Sequence, residues 1–181
     1  RNLKFQTLFF NIDHYKKTTM KKIIFILIVS ITLSNSSIAQ TGFVELGGPG
    51  LASINFDTRF SKKNDGIGGR VGIGGFSFRE TFTDTRAGVI FLPVGLNYIF
   101  SKNNRNYFEI GAGVTPVFGT GDISSDFSET FGHVILGYRM QPEEGGFTFR
   151  AFVCPVFGSG FFFPYYGGLS FGYKFGGGKE K

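Results

Sequence analysis

Tyr165-Tyr166-Gly167-Gly168-Leu169-Ser170-Phe171-Gly172-Tyr173-Lys174-Phe175 is the stretch that decides the fold. Side chains alternate across a strand with period two. Leu169, Phe171, Tyr173 and Phe175 therefore share one large apolar face, and Gly168, Ser170, Gly172 and Lys174 share a small or polar one. In a soluble sandwich the apolar face packs on a second sheet. In a membrane barrel it faces lipid, and the small polar face lines a narrow interior.

The same alternation recurs upstream. Ala52, Ile54, Phe56 and Phe60 oppose Ser53, Asn55, Asp57 and Arg59. Ile67, Val71 and Ile73 oppose Arg70, and Ile90 to Phe100 oppose Phe91, Gly95 and Asn97. Phe108 to Phe118 oppose Glu109, Gly111, Gly113 and Thr115. Val134 to Met140 oppose His133, Gly137 and Arg139, and Phe147 to Phe157 oppose Thr148, Arg150 and Cys154. No stretch holds a helical period for more than a turn. Strands of about ten residues separated by turn signals suggest a barrel or sandwich.

Connections set the strand count. Residues 61–65, 101–106 and 141–145 are short and polar, whereas 79–86, 119–128 and 158–161 are longer or less regular. Short turns belong to the periplasmic side of outer-membrane barrels, so the last strand ends there. Counting back, Phe43 to Leu46, with Glu45 facing the other way, must be a separate first strand. The Gly47-Gly48-Pro49-Gly50 turn would divide it from the second. The total is eight, which falls to seven if that turn is a bulge. A repeat at an offset of 39 residues, 113–121 against 152–160, supports a two-strand unit.

The distribution of bulk and charge favours lipid. Outward aromatics cluster near strand ends: Phe60, Tyr98, Phe100, Phe108, Tyr138, Phe147, Phe149, Tyr173 and Phe175 at the short-turn end, Phe118 and Phe157 at the other. The middles are aliphatic, as in a transmembrane barrel with two aromatic girdles. Glu45, Asp57, Arg59, Arg70, Glu109, His133, Arg139, Arg150 and Lys174 point inward. In an apolar sandwich core each charge would cost several kcal/mol unless paired. The expected fold is an eight-stranded antiparallel up-and-down transmembrane β-barrel. Its interior is filled by a polar network, with inward glycines making room for arginines.

The 181 residues carry a net charge of +6, but residues 40–181 hold 13 basic and 12 acidic side chains. The excess sits in the leader, so no nucleic-acid surface is implied. Met20-Lys21-Lys22, the apolar run from Ile23 and the small residues Ser37-Ile38-Ala39 read as a cleavable signal peptide over 20–39. Residues 1–19 read as an upstream extension and 40–181 as the barrel. Cys154, the sole cysteine, reads as a small buried side chain.

Several stretches resemble small outer-membrane β-barrel proteins of the Bacteroidetes, mostly of unassigned function. They are 43–60, Leu92-Pro93-Val94-Gly95-Leu96-Asn97-Tyr98, Phe108-Glu109-Ile110-Gly111-Ala112-Gly113, Leu136-Gly137-Tyr138-Arg139, Gly146-Phe147-Thr148-Phe149-Arg150-Ala151 and Gly168-Leu169-Ser170-Phe171-Gly172-Tyr173. The resemblance spans nearly all of the mature chain. It implies a porin-like, Gram-negative outer-membrane location and assembly through the C-terminal strand, although 176–181 follow Phe175 where an aromatic end is usual.

No catalytic motif, cofactor or metal spacing is present, and the chain is read as a non-enzymatic structural or surface-interaction barrel, monomeric, with lipid and the assembly machinery as partners. Three alternatives stand beside this reading. His133 with Ser170 or Ser53 and Glu109 would make a lipid-modifying enzyme. A conducting interior would make a small-solute transporter. An apolar interior would make a secreted, lipocalin-like binder. Asp122, Asp126 and Glu129 offer at most weak calcium binding, and the glycines of 66–72 lack the ending and helix of a phosphate loop.

Overall fold

A computed structural model describes residues 40–61, 63–79, 86–101, 103, 105–121 and 128–175. All lie in one compact unit, Ser37–Lys181. The expected leader, residues Asp122 and Asp126 and the 176–181 extension lie outside the described residues.

Eleven strand segments form one sheet: β1 (Gln40–Gly47), β2 (Ala52–Arg59), β3 (Gly66–Arg79), β4 (Arg86–Phe91), β5 (Val94–Ser101), β6 (Asn106–Gly121), β7 (Ser128–Met140), β8 (Gly146–Val153), β9 (Val156–Gly158), β10 (Phe161–Phe163) and β11 (Gly167–Phe175). Three staves of the barrel are interrupted: β4 and β5 by Leu92-Pro93, β8 and β9 by Cys154-Pro155, β10 and β11 by residues 164–166. With these joined, eight staves remain, all pairings are antiparallel, and β1 pairs with both β2 and β11. That last pairing closes the ring, from Gln40 opposite Phe175 to Gly47 opposite Gly168. Closure removes the exposed edges that an open sheet would present to lipid.

The prolines explain two interruptions. Proline has no N–H to donate, so the ladder breaks around it. Its carbonyl still accepts: Pro93 O takes the Gly72 N–H at 2.8 Å, and Pro155 O takes the Val134 N–H at 3.0 Å. Pro116, which matches Pro155 in the 39-residue repeat, stays within β6 and accepts from Leu92 N–H at 3.0 Å.

The turn between β1 and β2 is not a bulge. Gly48–Gly50 form one 3₁₀ turn and all three are buried. The turn folds inward and caps that side of the barrel. β1 starts earlier than the sequence pattern suggests, at Gln40, and Phe43 shares the inward face with Glu45. The upper ends of β3, β6 and β7 also run into the stretches expected to be connections, by one residue at Arg79, three at Gly121 and one at Ser128. Two of the upper connections are short, at 48–51 and 159–160, so loop length alone would not have oriented the barrel.

The outward face is hydrocarbon. Ile54 is 66% exposed and Leu96 60%, with Val44, Ile67, Val71, Ile73 and Val114 alongside. A soluble protein rarely exposes so broad an apolar band to water.

Candidate functional site

The lower half of the interior, beside the short turns, is an ion-pair layer. Strand alternation delivers one or two charged side chains from most staves, and all nine residues expected to point inward are buried, at 4% exposure or less. Asp57 on β2 is the first hub. Its Oδ1 accepts from Arg59 Nη2 at 2.6 Å and from Arg139 Nη2 at 3.1 Å, and its Oδ2 accepts from Asn97 Nδ2 at 2.5 Å. Glu109 on β6 is the second. Arg150 grips it in bidentate fashion, with Nε to Oε2 at 2.9 Å and Nη2 to Oε1. Arg139 Nη1 stands 3.8 Å from Glu109 Oε2, and Asn97 Nδ2 donates to Oε1 at 2.9 Å, so Arg139 and Asn97 link the hubs. Burying these charges is costly, and charge-assisted, bidentate geometry is what offsets the cost.

A third cluster lies on β1, β2, β3 and β11. Glu45 Oε1 accepts from Arg70 Nη2 at 2.5 Å, and Ser170 Oγ reaches Glu45 Oε2 at 3.5 Å. Arg70 also donates to Asn55 Oδ1 through Nη2 at 3.0 Å. The Phe43 ring carries two guanidinium groups, with Arg150 Cζ 4.5 Å and Arg70 Cζ 5.3 Å from its centroid. A ring quadrupole attracts cations, more so when they are desolvated. Phe43 is thus a working member of the network that a search for charges missed.

Space for these groups comes from glycines, but not chiefly for arginine. Gly68 yields to the Arg59 guanidinium, whereas Gly72 yields to Asn55, Gly113 to His133, and Gly48, Gly137 and Gly168 to Phe152.

Lys174 closes the lower mouth. Its Nζ donates to Asn64 Oδ1 at 2.7 Å, Glu143 O at 2.7 Å and Pro142 O at 3.0 Å. One ammonium thereby ties the β2–β3 turn to the β7–β8 turn across the opening, with Gln141 Nε2 donating to Asn64 O at 3.4 Å beside it. The K174M variant should release both turns while the barrel stays folded. Hydrogen-exchange mass spectrometry should show faster exchange at 61–65 and 141–145 and unchanged exchange in β6 and β7. Each hydrogen bond lost is worth roughly 1 kcal/mol.

The upper interior is different from expectation. Ile135, Phe152, Cys154 and Val156 form a buried apolar cluster, with Phe131 and Tyr166 packed against it. Cys154 is one of its members and a free thiol. The barrel is therefore stratified, ionic below and apolar above. His133 lies in this upper part, with Nδ1 3.2 Å from Thr115 Oγ1. The proposed catalytic partners are engaged elsewhere: Ser170 with Glu45, Ser53 with Asn55, Glu109 with Arg150. Glu109 sits opposite Gly137 and His133 opposite Gly113, four positions apart along the ladder, roughly 13 Å at 3.3–3.4 Å per residue. Glu109 is therefore not the residue that orients His133, and the hydroxyl beside the imidazole is that of Thr115.

The girdle residues Phe60, Tyr98, Phe100, Phe108, Phe118, Tyr138, Phe147, Phe157, Tyr173 and Phe175 all lie on the outer surface. Some are in ring contact, as are Phe100 and Phe108 at 5.3 Å and Tyr173 and Phe175 at 5.4 Å. Among the described residues no group of three His, Cys, Asp or Glu side chains could hold a metal ion.

No known protein family and no curated protein matches the sequence. Solved structures do match in fold. The N-terminal β-barrel domain of Pseudomonas aeruginosa OprF aligns with a TM-score of 0.51 at 15% identity, covering 76% of this chain and 96% of that one. The attachment invasion locus protein Ail of Yersinia pestis, solved with the heparin analogue sucrose octasulfate, aligns with a TM-score of 0.46 at 16% identity, covering 76% and 94%. The fold is that of outer-membrane β-barrels.

Proposed function

We propose that this chain is an integral outer-membrane protein of a Gram-negative bacterium, with a structural or surface-interaction role and no catalytic one. The observation that carries this reading is the inverted polarity: ion pairs inside, hydrocarbon and aromatic rings outside. Lipid then solvates the exterior, and the assembly machinery engages β11, whose alternating face ends on Phe175. The narrower likeness to Bacteroidetes barrels rests on the shared strand motifs, and a monomer is the simplest state for a ring already closed on itself.

A sealed interior supports a plugged barrel over a pore. Asp57 with Arg59 and Arg139, and Glu109 with Arg139 and Arg150, meet across the bore, and Lys174 closes the lower mouth. An eight-stranded barrel leaves an interior just wide enough for side chains. Purified protein should require detergent, migrate differently on gels before and after boiling, and show no sustained ion conductance in planar bilayers. A protein that stays monodisperse without detergent defeats the membrane reading. Long-lived conductance steps defeat the plugged one.

A further inference from the structure

The upper interior leads to a feature that the reading above leaves unused. β2 stops pairing with β3 at Ser53 opposite Gly74, so residues 75–79 rise beyond it. The β9–β10 hairpin pairs with β7 and rises beyond β11 in the same way. The segments β3, β4, β6, β7, β9 and β10 thus form a raised curved wall, open on the side where β11, β1 and β2 end.

The inner face of this wall is phenylalanine. Counting in twos from buried Arg70 reaches Phe76 and Phe78, and from buried His133 reaches Phe131. Phe91 lies opposite Gly74 and Val117, and Phe163 opposite Val156, which faces His133. The rings form a continuous chain: Phe78–Phe76 6.4 Å, Phe76–Phe91 6.3 Å, Phe91–Phe131 6.5 Å, Phe131–Phe161 6.5 Å and Phe161–Phe163 5.9 Å. Such contacts fall in the favourable range for aromatic pairs. Phe78 remains 58% exposed and Phe163 62%. Among the described residues the only ionisable group on this face above His133 is Glu129, at the start of β7.

The open side says what fits. Its rim carries the exposed Leu46, Leu51, Leu169, Phe162 and Tyr165, where a site for a water-borne solute would carry a polar rim. Directly below, at the upper ends of β1 and β11, a groove of about 600 Å³ on the outer face is lined by Leu46, Leu136, Ala151, Val153 and Leu169 with glycines. Inward Phe152 also reaches that groove, because Gly167 and Gly168 put no side chain in the way. The outer apolar band is therefore continuous with the trough.

Resting on the membrane reading above, we propose that the trough holds the hydrocarbon chain of a surrounding membrane lipid, entering sideways over the upper ends of β11, β1 and β2. Rings and hydrocarbon remove each other from water, and among the described residues no trough side chain holds a buried polar atom without a partner.

The chain contains no tryptophan, which makes the test direct. Four single-tryptophan variants, F131W and F161W in the trough, F43W in the sealed lower interior and F157W on the outer face, go into phosphatidylcholine vesicles with or without brominated acyl chains. F43W keeps an aromatic ring under both guanidinium groups. It is separated from lipid by the same single sheet, so it measures quenching through the wall. Expected is a loss of emission in brominated vesicles for F131W, F161W and F157W beyond that of F43W, with little quenching of the trough pair by aqueous acrylamide. F161W, on the exposed hairpin, decides the matter if F131W does not fold. Trough tryptophans quenched by acrylamide and not by bromine would mean a watery cleft for a soluble partner, and shielding from both would mean cover by protein. Either result overturns the proposal while F157W stays quenched. Loss of the F157W response overturns the membrane reading itself, and this inference with it.

Discussion

Replacing Glu109 by Gln should destabilise the folded barrel by about 3–5 kcal/mol, measured by urea unfolding in lipid vesicles or micelles. Glu109 takes the bidentate Arg150 pair, stands near Arg139 and accepts from Asn97. Glutamine keeps the shape but removes the charge, and it leaves the Arg150 guanidinium buried without a carboxylate. The loss is dominated by that stranded cation rather than by the missing attraction. A second substitution therefore discriminates. Adding R150Q to E109Q should recover more than half of the loss, since Arg139 still has Asp57 at 3.1 Å. If the double variant is no more stable than E109Q, the ion-pair account of this layer is wrong.

Gly47→Ala should be nearly as damaging, for a backbone reason. Gly47 has φ 78° and ψ −160°, a conformation that is essentially glycine's alone. Its N–H donates to Leu51 O at 2.6 Å, which starts the inward turn at Gly48. A Cβ there would also meet the Gly167 carbonyl of β11 across the closing seam. Strain of about 1–3 kcal/mol adds to the displacement of β11, for a loss of about 3 kcal/mol or more. Gly160→Ala is the comparison. Gly160 has φ 81° and nothing within 4 Å, so alanine costs only the left-handed backbone, about 1–2 kcal/mol. Heat-modifiable migration of the two variants reads the difference, and equal folded fractions would remove the special role of the seam.

Much of the barrel is legible in the sequence because a lipid-facing strand must obey period two. Where the two faces differ in chemistry, as in Tyr138-Arg139-Met140 or Phe149-Arg150-Ala151, parity alone assigns the direction of each side chain. Where both neighbours are apolar the triplet alone is silent: Phe152 within Ala151-Phe152-Val153 is placed inside only by counting two from Arg150, and Phe43 only by counting two from Glu45. Phe76 and Phe78 are reached by counting on from Arg70, because β3 keeps its period as far as Arg79.

The alternation of greasy and ionic residues, with turn signals between, determined by itself that the chain closes into a small barrel with charge at its centre. Only the tertiary structure decided which charges meet, because Asp57 and Arg139 stand 82 residues apart and local spacing carries no information about such a pair. It also decided that the interior changes from ionic to apolar along its axis. Strand stagger, which no single strand encodes, brings Phe91 of β4 against Phe131 of β7 and places Lys174 over the turns of two other hairpins.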